Sequence, residues 1–310
     1  MWGALPARFR RMRVMVVGCG DVGTRTLPSL CARAQVLVVS RSPERLAQHR
    51  SARCRLLKAD LDEVRSLRRL AGLATRVLYL APPRGDDARQ LRDTRLRQWT
   101  MAMRRRMSPE QTVYISTSGV YGDCGGAWVD ESRVPQPQTA RAQRRVDAER
   151  VVRTWDAAAV VLRVPGIYAL DRVDGTPARR LLAGTPVLRP QDDVYTNHIH
   201  ADDLARASVL ALRHRVRGLT VNVCDDSAMT MGEYFTQAAA CLGLPPPPHI
   251  TRAQAQVQLS PMQMSFMSES RRLRNQRMKT ALGLRLRYPT VREGLSAPFG
   301  AADARDKKAR

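Results

Sequence analysis

Residues 13–23 read Arg13-Val14-Met15-Val16-Val17-Gly18-Cys19-Gly20-Asp21-Val22-Gly23, and this stretch decides the fold. A short apolar run leads straight into Gly-x-Gly-x-x-Gly, and a helix-like segment follows. Each glycine meets a different physical need. Gly18 permits a tight turn, Gly20 lets backbone approach a pyrophosphate, and Gly23 lets helix and strand pack closely. A pyrophosphate would rest on the free N–H groups at the start of that helix, where the helix dipole is positive. Cys19, Asp21 and Val22 complete the turn and are expected at the same ligand.

Outward from this turn the chain alternates strand and helix. Gln35–Ser40 carries four apolar residues in a row, as a strand buried on both faces does. Ser42-Pro43 starts a helix, with Ser42 as N-cap and Pro43 at its first position. Further strands are expected over 55–59, 77–81, 112–116, 160–163 and 219–223. Helices are expected over 22–34 (with Pro28 as a kink), up to Leu73, over 87–107 and over 144–155. This alternation predicts an α/β fold, a Rossmann-type doubly wound parallel sheet. Ligands of such sheets bind beyond the C-terminal strand ends. Those ends hold Ser40 and Arg41, Asp60 and Leu61, Leu80-Ala81-Pro82, and Pro165, all expected at the cofactor.

The end of the second strand bears on cofactor choice. NAD-selective sites place a carboxylate about 20 residues after the glycines, on the ribose 2′-hydroxyl. Here Ser40 and Arg41 stand there, with no acid before Glu44. A 2′-phosphate suits them better, so NADP is the preferred cofactor and NAD the other; a plain exposed arginine is the bland alternative.

At 310 residues the chain can bury a sizeable core. Its formal charge of +24 is almost wholly arginine, since Lys58, Lys279, Lys307 and Lys308 are its only lysines. Aromatics are 5% of residues and do not interleave with the arginines, so composition bias explains the excess better than nucleic-acid binding. Six scattered cysteines without C-x-x-C suggest free thiols in a reducing compartment. Residues 1–12 lack the apolar core of a signal peptide, and no stretch reaches the ~20 apolar residues of a membrane span. A cytoplasmic protein without membrane attachment is expected, a homodimer being compatible with it.

Ile115-Ser116-Thr117-Ser118-Gly119-Val120-Tyr121-Gly122, Leu162-Arg163-Val164-Pro165-Gly166-Ile167-Tyr168, Asn197-His198-Ile199-His200-Ala201-Asp202-Asp203-Leu204 and Leu282-Gly283 follow the glycine turn in order. Together they resemble the short-chain dehydrogenases/reductases, within them the extended, NAD-dependent epimerase/dehydratase-like group, over roughly residues 14–295. The resemblance implies an NAD(P)-binding oxidoreductase or epimerase acting on a small molecule, phosphorylated and nucleotide-linked ones included. It implies Thr117 as the hydroxyl orienting a substrate oxygen, with Ser118, Tyr168 and Arg172 at the substrate. The family's Tyr-x-x-x-Lys pair is replaced by Thr139 and Gln143. A lysine and the nicotinamide charge are what bring a tyrosine from its pKa of ~10 toward use near neutrality. Tyr121 is the substitute to weigh, with Arg141 or Arg144 as the charge; packing under its loop is the competing role. Asp130 with Glu131 is a weaker acid pair. The missing pair also admits a non-catalytic dinucleotide-sensing module.

His198 and His200 lie two apart and would share one strand face, which is short of a metal site; Asp202 or Asp203 is expected to cap a helix over 204–213. The expected organisation is a basic arm (1–12), a dinucleotide-binding domain (13–223) with a substrate-side loop near 166–200, a small C-terminal subdomain (224–296) and a tail (297–310). In the subdomain, helices are expected over 230–242 and 270–282, around a Pro-rich link at 245–248 and a Met-rich stretch.

Overall fold

The computed structural model describes residues 12–85, 89–104, 106, 109–172, 175–213 and 216–296. The expected N-terminal arm, but for residue 12, the C-terminal tail and the start of the expected 87–107 helix lie outside the described residues.

Seven parallel strands make the central sheet: β1 (Arg13–Val17), β2 (Gln35–Ser40), β3 (Cys54–Lys58), β4 (Arg76–Tyr79), β5 (Gln111–Thr117), β6 (Val160–Val164) and β7 (Thr220–Asn222). Their spatial order is β3-β2-β1-β4-β5-β6-β7. The direction of winding therefore reverses between β1 and β4, the switch point where such sheets open a crevice.

The strands are apolar throughout because both faces are covered. Val14, Val16, Val36, Val38 and Leu162 point to one side, where they meet α1 (Asp21–Cys31) and α6 (Ala201–Arg213). Met15, Val17, Leu37, Val39 and Val161 point to the other, beneath α2 (Val64–Arg68), α3 (Thr94–Met103) and α4 (Ala140–Trp155). Trp99, Tyr79 and Tyr114 fill that second layer. α3 is shorter than expected because the buried carboxylate of Asp93 takes the amide of Leu96 and starts the helix there.

α5 (Ala178–Leu182), α7 (Met231–Leu242), α8 (Arg252–Gln258), α9 (Pro261–Phe266) and α11 (Val291–Ser296) lie in the C-terminal half. A separate core of Tyr168, Leu181, Val187, Tyr234, Phe235 and Leu295 joins α5, α7 and α11. α7 has a capping box of Thr230 with Glu233 and ends on Gly243 in the left-handed region. α10 (Gln276–Ala281) instead sends Met278 and Leu282 into the first sheet layer, so the chain after residue 224 serves two cores.

Two expectations of local structure are corrected. The 270–282 segment is not one helix. Arg272 and Leu273 form a short strand on Trp128–Val129, because backbone carbonyls of Ala127 and Val129 take the amides of Arg272 and Arg274. Asp202 and Asp203 do not cap α6, which already begins at Ala201. Asp203, fully buried, accepts from the amides of Arg287 and Tyr288 and so fastens the C-terminal segment.

Candidate active site

Beyond the ends of β1–β4 lies a cavity of about 410 Å³. Gly18 has φ +83°, and a Cβ there would stand 2.6 Å from the amide nitrogen of Ala81. Ala81 therefore backs the turn, rather than lining the cavity with Leu80 and Pro82. Gly23 is nearly as tight, with a Cβ meeting Cys19 Sγ and Leu80 Cδ1 at 3.2 Å. Gly20 differs: a Cβ there would meet nothing within 4 Å, because it borders the cavity at the N-cap of α1. No side chain caps α1, so its first amides remain for a ligand.

Asp21 places a carboxylate at this anion-attracting end. Two guanidinium groups offset it: Arg25 Nε and Arg172 Nε each lie 3.0 Å from its oxygens. Arg25 also holds Asp171 and Asp202 at 2.6 Å each, and those carboxylates raise its pKa despite the opposing effect of burial. Arg172, anchored to the carbonyl of Ile167, thus lines the first cavity beside the glycine turn, and not the second cavity where its sequence position suggested a substrate contact.

On the far side of the turn, Ser40, Arg41, Asp60 and Leu61 come together as expected. The Ser40 hydroxyl accepts from the amide of Ser42, and Asp60 from that of Asp62. Arg95 also reaches this wall; its fork on Asp62, at 2.6 and 3.0 Å, holds that carboxyl below the usual range. The donor set fits a dinucleotide: a glycine turn that brings backbone to the cavity, an uncapped helix start, and Arg41, Arg95 and Arg172 on the walls.

A second cavity of about 410 Å³ opens past β5 and β6. Thr117 and Ser118 lie on it, the Thr117 Oγ1 accepting from the amide of Gly119 at 3.3 Å. Pro165 borders this cavity and not the first, because the chain leaves β6 on that side. Arg145 crosses it from α4, donating to Tyr114 Oη and the Ile115 carbonyl. Thr139 is the N-cap of α4, its oxygen accepting from Ala142, and Gln143 is in the next turn. Arg144 turns away and donates to the Gln90 carbonyl.

Several sequence candidates lie elsewhere. Tyr121 is fully buried, donates its hydroxyl to Asn222 at 2.8 Å, and lies beneath Arg163; burial raises its pKa. It lines neither cavity. Asp130 accepts from Ser132 within its own loop, while Glu131 takes the amide of Asn222 and so braces the far edge of the sheet. Tyr168 is in the C-terminal core, 1% exposed, with its hydroxyl toward the carbonyl of Thr290. It lines neither cavity, contrary to the expected place at a substrate.

His198 and His200 also part company. The strand His198–His200 pairs with Gly166–Tyr168. His198 reaches the second cavity and stacks on Tyr234 at 3.7 Å; burial pushes its pKa down to about 3, so the ring is neutral. His200 instead lies against Tyr288 and accepts from the amide of Asp202. Among the described residues no cluster of His, Cys, Asp or Glu could hold a metal. Sequence reading missed Arg95, Arg180, Arg271, Phe235 and Phe266 at the two cavities. Single arginines and aromatics in segments of unassigned contact carry no local signal.

A parallel sheet wound about this glycine turn, with a second cavity beside it, defines a dinucleotide-binding α/β protein. The chain belongs to the NAD-dependent epimerase/dehydratase family, whose model matches residues 14–224. A functionally unknown conserved protein from Silicibacter pomeroyi DSS is 28% identical, with a TM-score of 0.72 over 94% of this chain and 99% of that one. The UDP-glucuronic acid 4-epimerase from Bacillus cereus, solved with NAD, has the same fold: TM-score 0.72, 17% identity, over 92% of this chain and 97% of that one. A 3-diazoavenalumate denitrifying reductase of a Streptomyces species is 32% identical over 165 residues, which are 52% of this chain and 54% of that protein. The chain thus spans about half the length of that relative. Among the described residues no helix is long and apolar enough to cross a membrane.

Proposed function

We propose that this protein is an NADP(H)-binding reductase whose small-molecule substrate enters the cavity beside Thr117 and Ser118. The observation that carries the reading is the glycine cradle, where Gly18 abuts Ala81 while Gly20 opens onto the cavity at an uncapped helix start. A nicotinamide dinucleotide held there supplies a hydride. Gly20 and the first amides of α1 would receive its pyrophosphate, with Arg172 adding positive charge beside Asp21. Ser40 and Arg41, with no carboxylate at the end of β2, favour a 2′-phosphate over a bare ribose. The six free cysteines suit a reducing, cytoplasmic setting.

Thr139 and Gln143 stand where the family has tyrosine and lysine, so no side chain of the usual kind is ready to give a proton to a developing alkoxide. Thr117 can still orient a substrate by donating its hydroxyl. Chemistry that fits is hydride delivery to an acceptor needing no proton, such as an arenediazonium ion: hydride forms the new C–H bond, the C–N bond breaks, and dinitrogen leaves. The Streptomyces relative, a denitrifying reductase of a diazo compound, supports this direction.

Calorimetric titration with NADPH and NADH tests the first step. NADPH binding at least tenfold tighter than NADH, a preference that Arg41→Ala removes, is the expected result; binding of neither nucleotide refutes the proposal. Consumption of NADPH with an arenediazonium above the protein-free rate, and none with simple ketones, is expected next. Tight NADPH binding without turnover of either acceptor would favour the dinucleotide-sensing alternative.

A further inference from the structure

The walls of the second cavity are strongly one-sided in charge. Arg141, Arg145, Arg180 and Arg271 line it, against a single carboxylate, Glu269. Glu269 is already engaged, pairing with Arg271 at 2.8 Å, and Arg145 is spent on Tyr114 and Ile115. Neither of the other two arginines forms an ion pair with a carboxylate among the described residues. Arg141, open to solvent, lies 4.7 Å over the ring of Phe266 with no hydrogen bond or ion pair among the described residues. Arg180 lies 4.3 Å over Phe235, and its Nε and Nη2 are screened from solvent without any partner among the described residues. Burial accordingly lowers its pKa.

Unpaired N–H groups of a guanidinium withdrawn from water are costly unless something supplies acceptors. Nε–H and Nη2–H form one edge of the guanidinium, which matches the two oxygens of a carboxylate and meets one once the side chain turns toward the cavity. Aromatic rings adjoin it: Phe235 under Arg180, Tyr234 stacked on the neutral His198, and Phe266, 45% exposed, at the rim.

We propose that this cavity selects a planar substrate bearing a carboxylate, with Arg180 and Arg141 taking the acid and the rings its flat body. This rests on the cavity being the substrate site of the proposed reductase. The anion contact itself does not depend on the dinucleotide, and the test separates the two.

Calorimetry of the full-length protein with trans-cinnamate, cinnamamide and phenyl phosphate, without and with NADPH, decides it. Cinnamate is expected to bind at least tenfold more tightly than cinnamamide and more tightly than phenyl phosphate. Arg180→Gln should lose at least tenfold in cinnamate affinity while its NADPH affinity and melting temperature stay unchanged. Arg141→Gln, at an exposed position with no risk to folding, should lose about threefold or more. Equal affinity for acid and amide, tighter binding of the phosphate, no binding of cinnamate, or unchanged cinnamate affinity in both variants would each overturn the proposal. Cinnamate binding that persists when NADPH does not bind would leave this inference standing and remove the reductase reading.

Discussion

Substituting alanine at Gly18 and at Gly20 separates what the turn does for the fold from what it does for a ligand. At Gly18 the φ of +83° already costs an L-residue on the order of 1–2 kcal/mol. The new Cβ would also stand 2.6, 2.7 and 2.9 Å from N, Cα and Cβ of Ala81. Two of those atoms are backbone at the end of β4, so the strand end must move, an overpacking cost of about 1–3 kcal/mol. Together, about 2–5 kcal/mol is at stake, a melting-point drop of about 3–8 °C for a chain of this size. Gly20→Ala is the opposite case. Its φ of −87° suits alanine and the added methyl meets nothing within 4 Å. Stability should change by less than about 1 kcal/mol, the usual range for exchanges at an N-cap. The methyl would nevertheless stand where a pyrophosphate must approach, and NADPH affinity should fall at least tenfold, or about 1.4 kcal/mol. Circular-dichroism melting and calorimetric titration of both variants read the two effects. A Gly18→Ala protein that melts like wild type, or a Gly20→Ala protein that binds NADPH like wild type, would refute the reasoning.

Three more outcomes are expected. Glu149 accepts from Ser116 at 2.6 Å and from Arg163 at 2.8 and 3.1 Å, all three residues being buried. Glu149→Ala strands the Arg163 charge and should cost about 3–5 kcal/mol in urea unfolding, whereas Glu149→Leu with Arg163→Met should recover most of it. Arg41→Ala should weaken NADPH about tenfold and leave NADH within twofold; parallel loss of both would show that Arg41 acts on something other than the 2′-phosphate. His198, whose pKa burial depresses to about 3, stays neutral when folded but takes a proton near its ordinary 6.5 when unfolded. Its contribution is thus fully present above pH 6.5 and is lost as pH falls below it, by about 2 kcal/mol at pH 5. Asp225, raised by burial, acts in the opposite sense, so the difference between wild type and His198→Phe across this range is the quantity to measure.

Much of the fold was legible because its signals are local. Val36–Val39 and Val160–Leu162 read as strands since burial on both faces removes the alternation that would confuse them. The glycine turn was readable for the same reason, each glycine answering to a constraint within its own loop or the next strand. Tyr168 and Arg172 were misplaced for the converse reason. A motif fixes their order along the chain, but a three-residue strand and the reach of one arginine decide which cavity each meets. The strand at 272–273 exists only because Trp128–Val129 lies alongside, and nothing within 270–282 records that partner. Arg180 and Arg271 were invisible among so many arginines: what sets them apart is the aromatic ring, the missing acid or the single glutamate beside them.

The two cavities are built on different principles, with a consequence for specificity. The first is made by strand ends and turns of one sheet, so its shape is fixed by the same packing that holds β1 to β4. The second draws on segments near residues 117, 141, 180, 198, 234 and 271. Two of these segments are tied by side chains: Asn197 receives the amide of Leu273 and donates to the carbonyl of Arg271, and Ser270 takes the amide of Tyr195. Exchanging Arg180 or Phe266 alters that second wall without touching the glycine turn, whereas almost any change at Gly18 disturbs the sheet. If the second cavity takes the substrate as proposed, a family resemblance that rests on the glycine turn carries little information about the molecule that would enter beside Thr117.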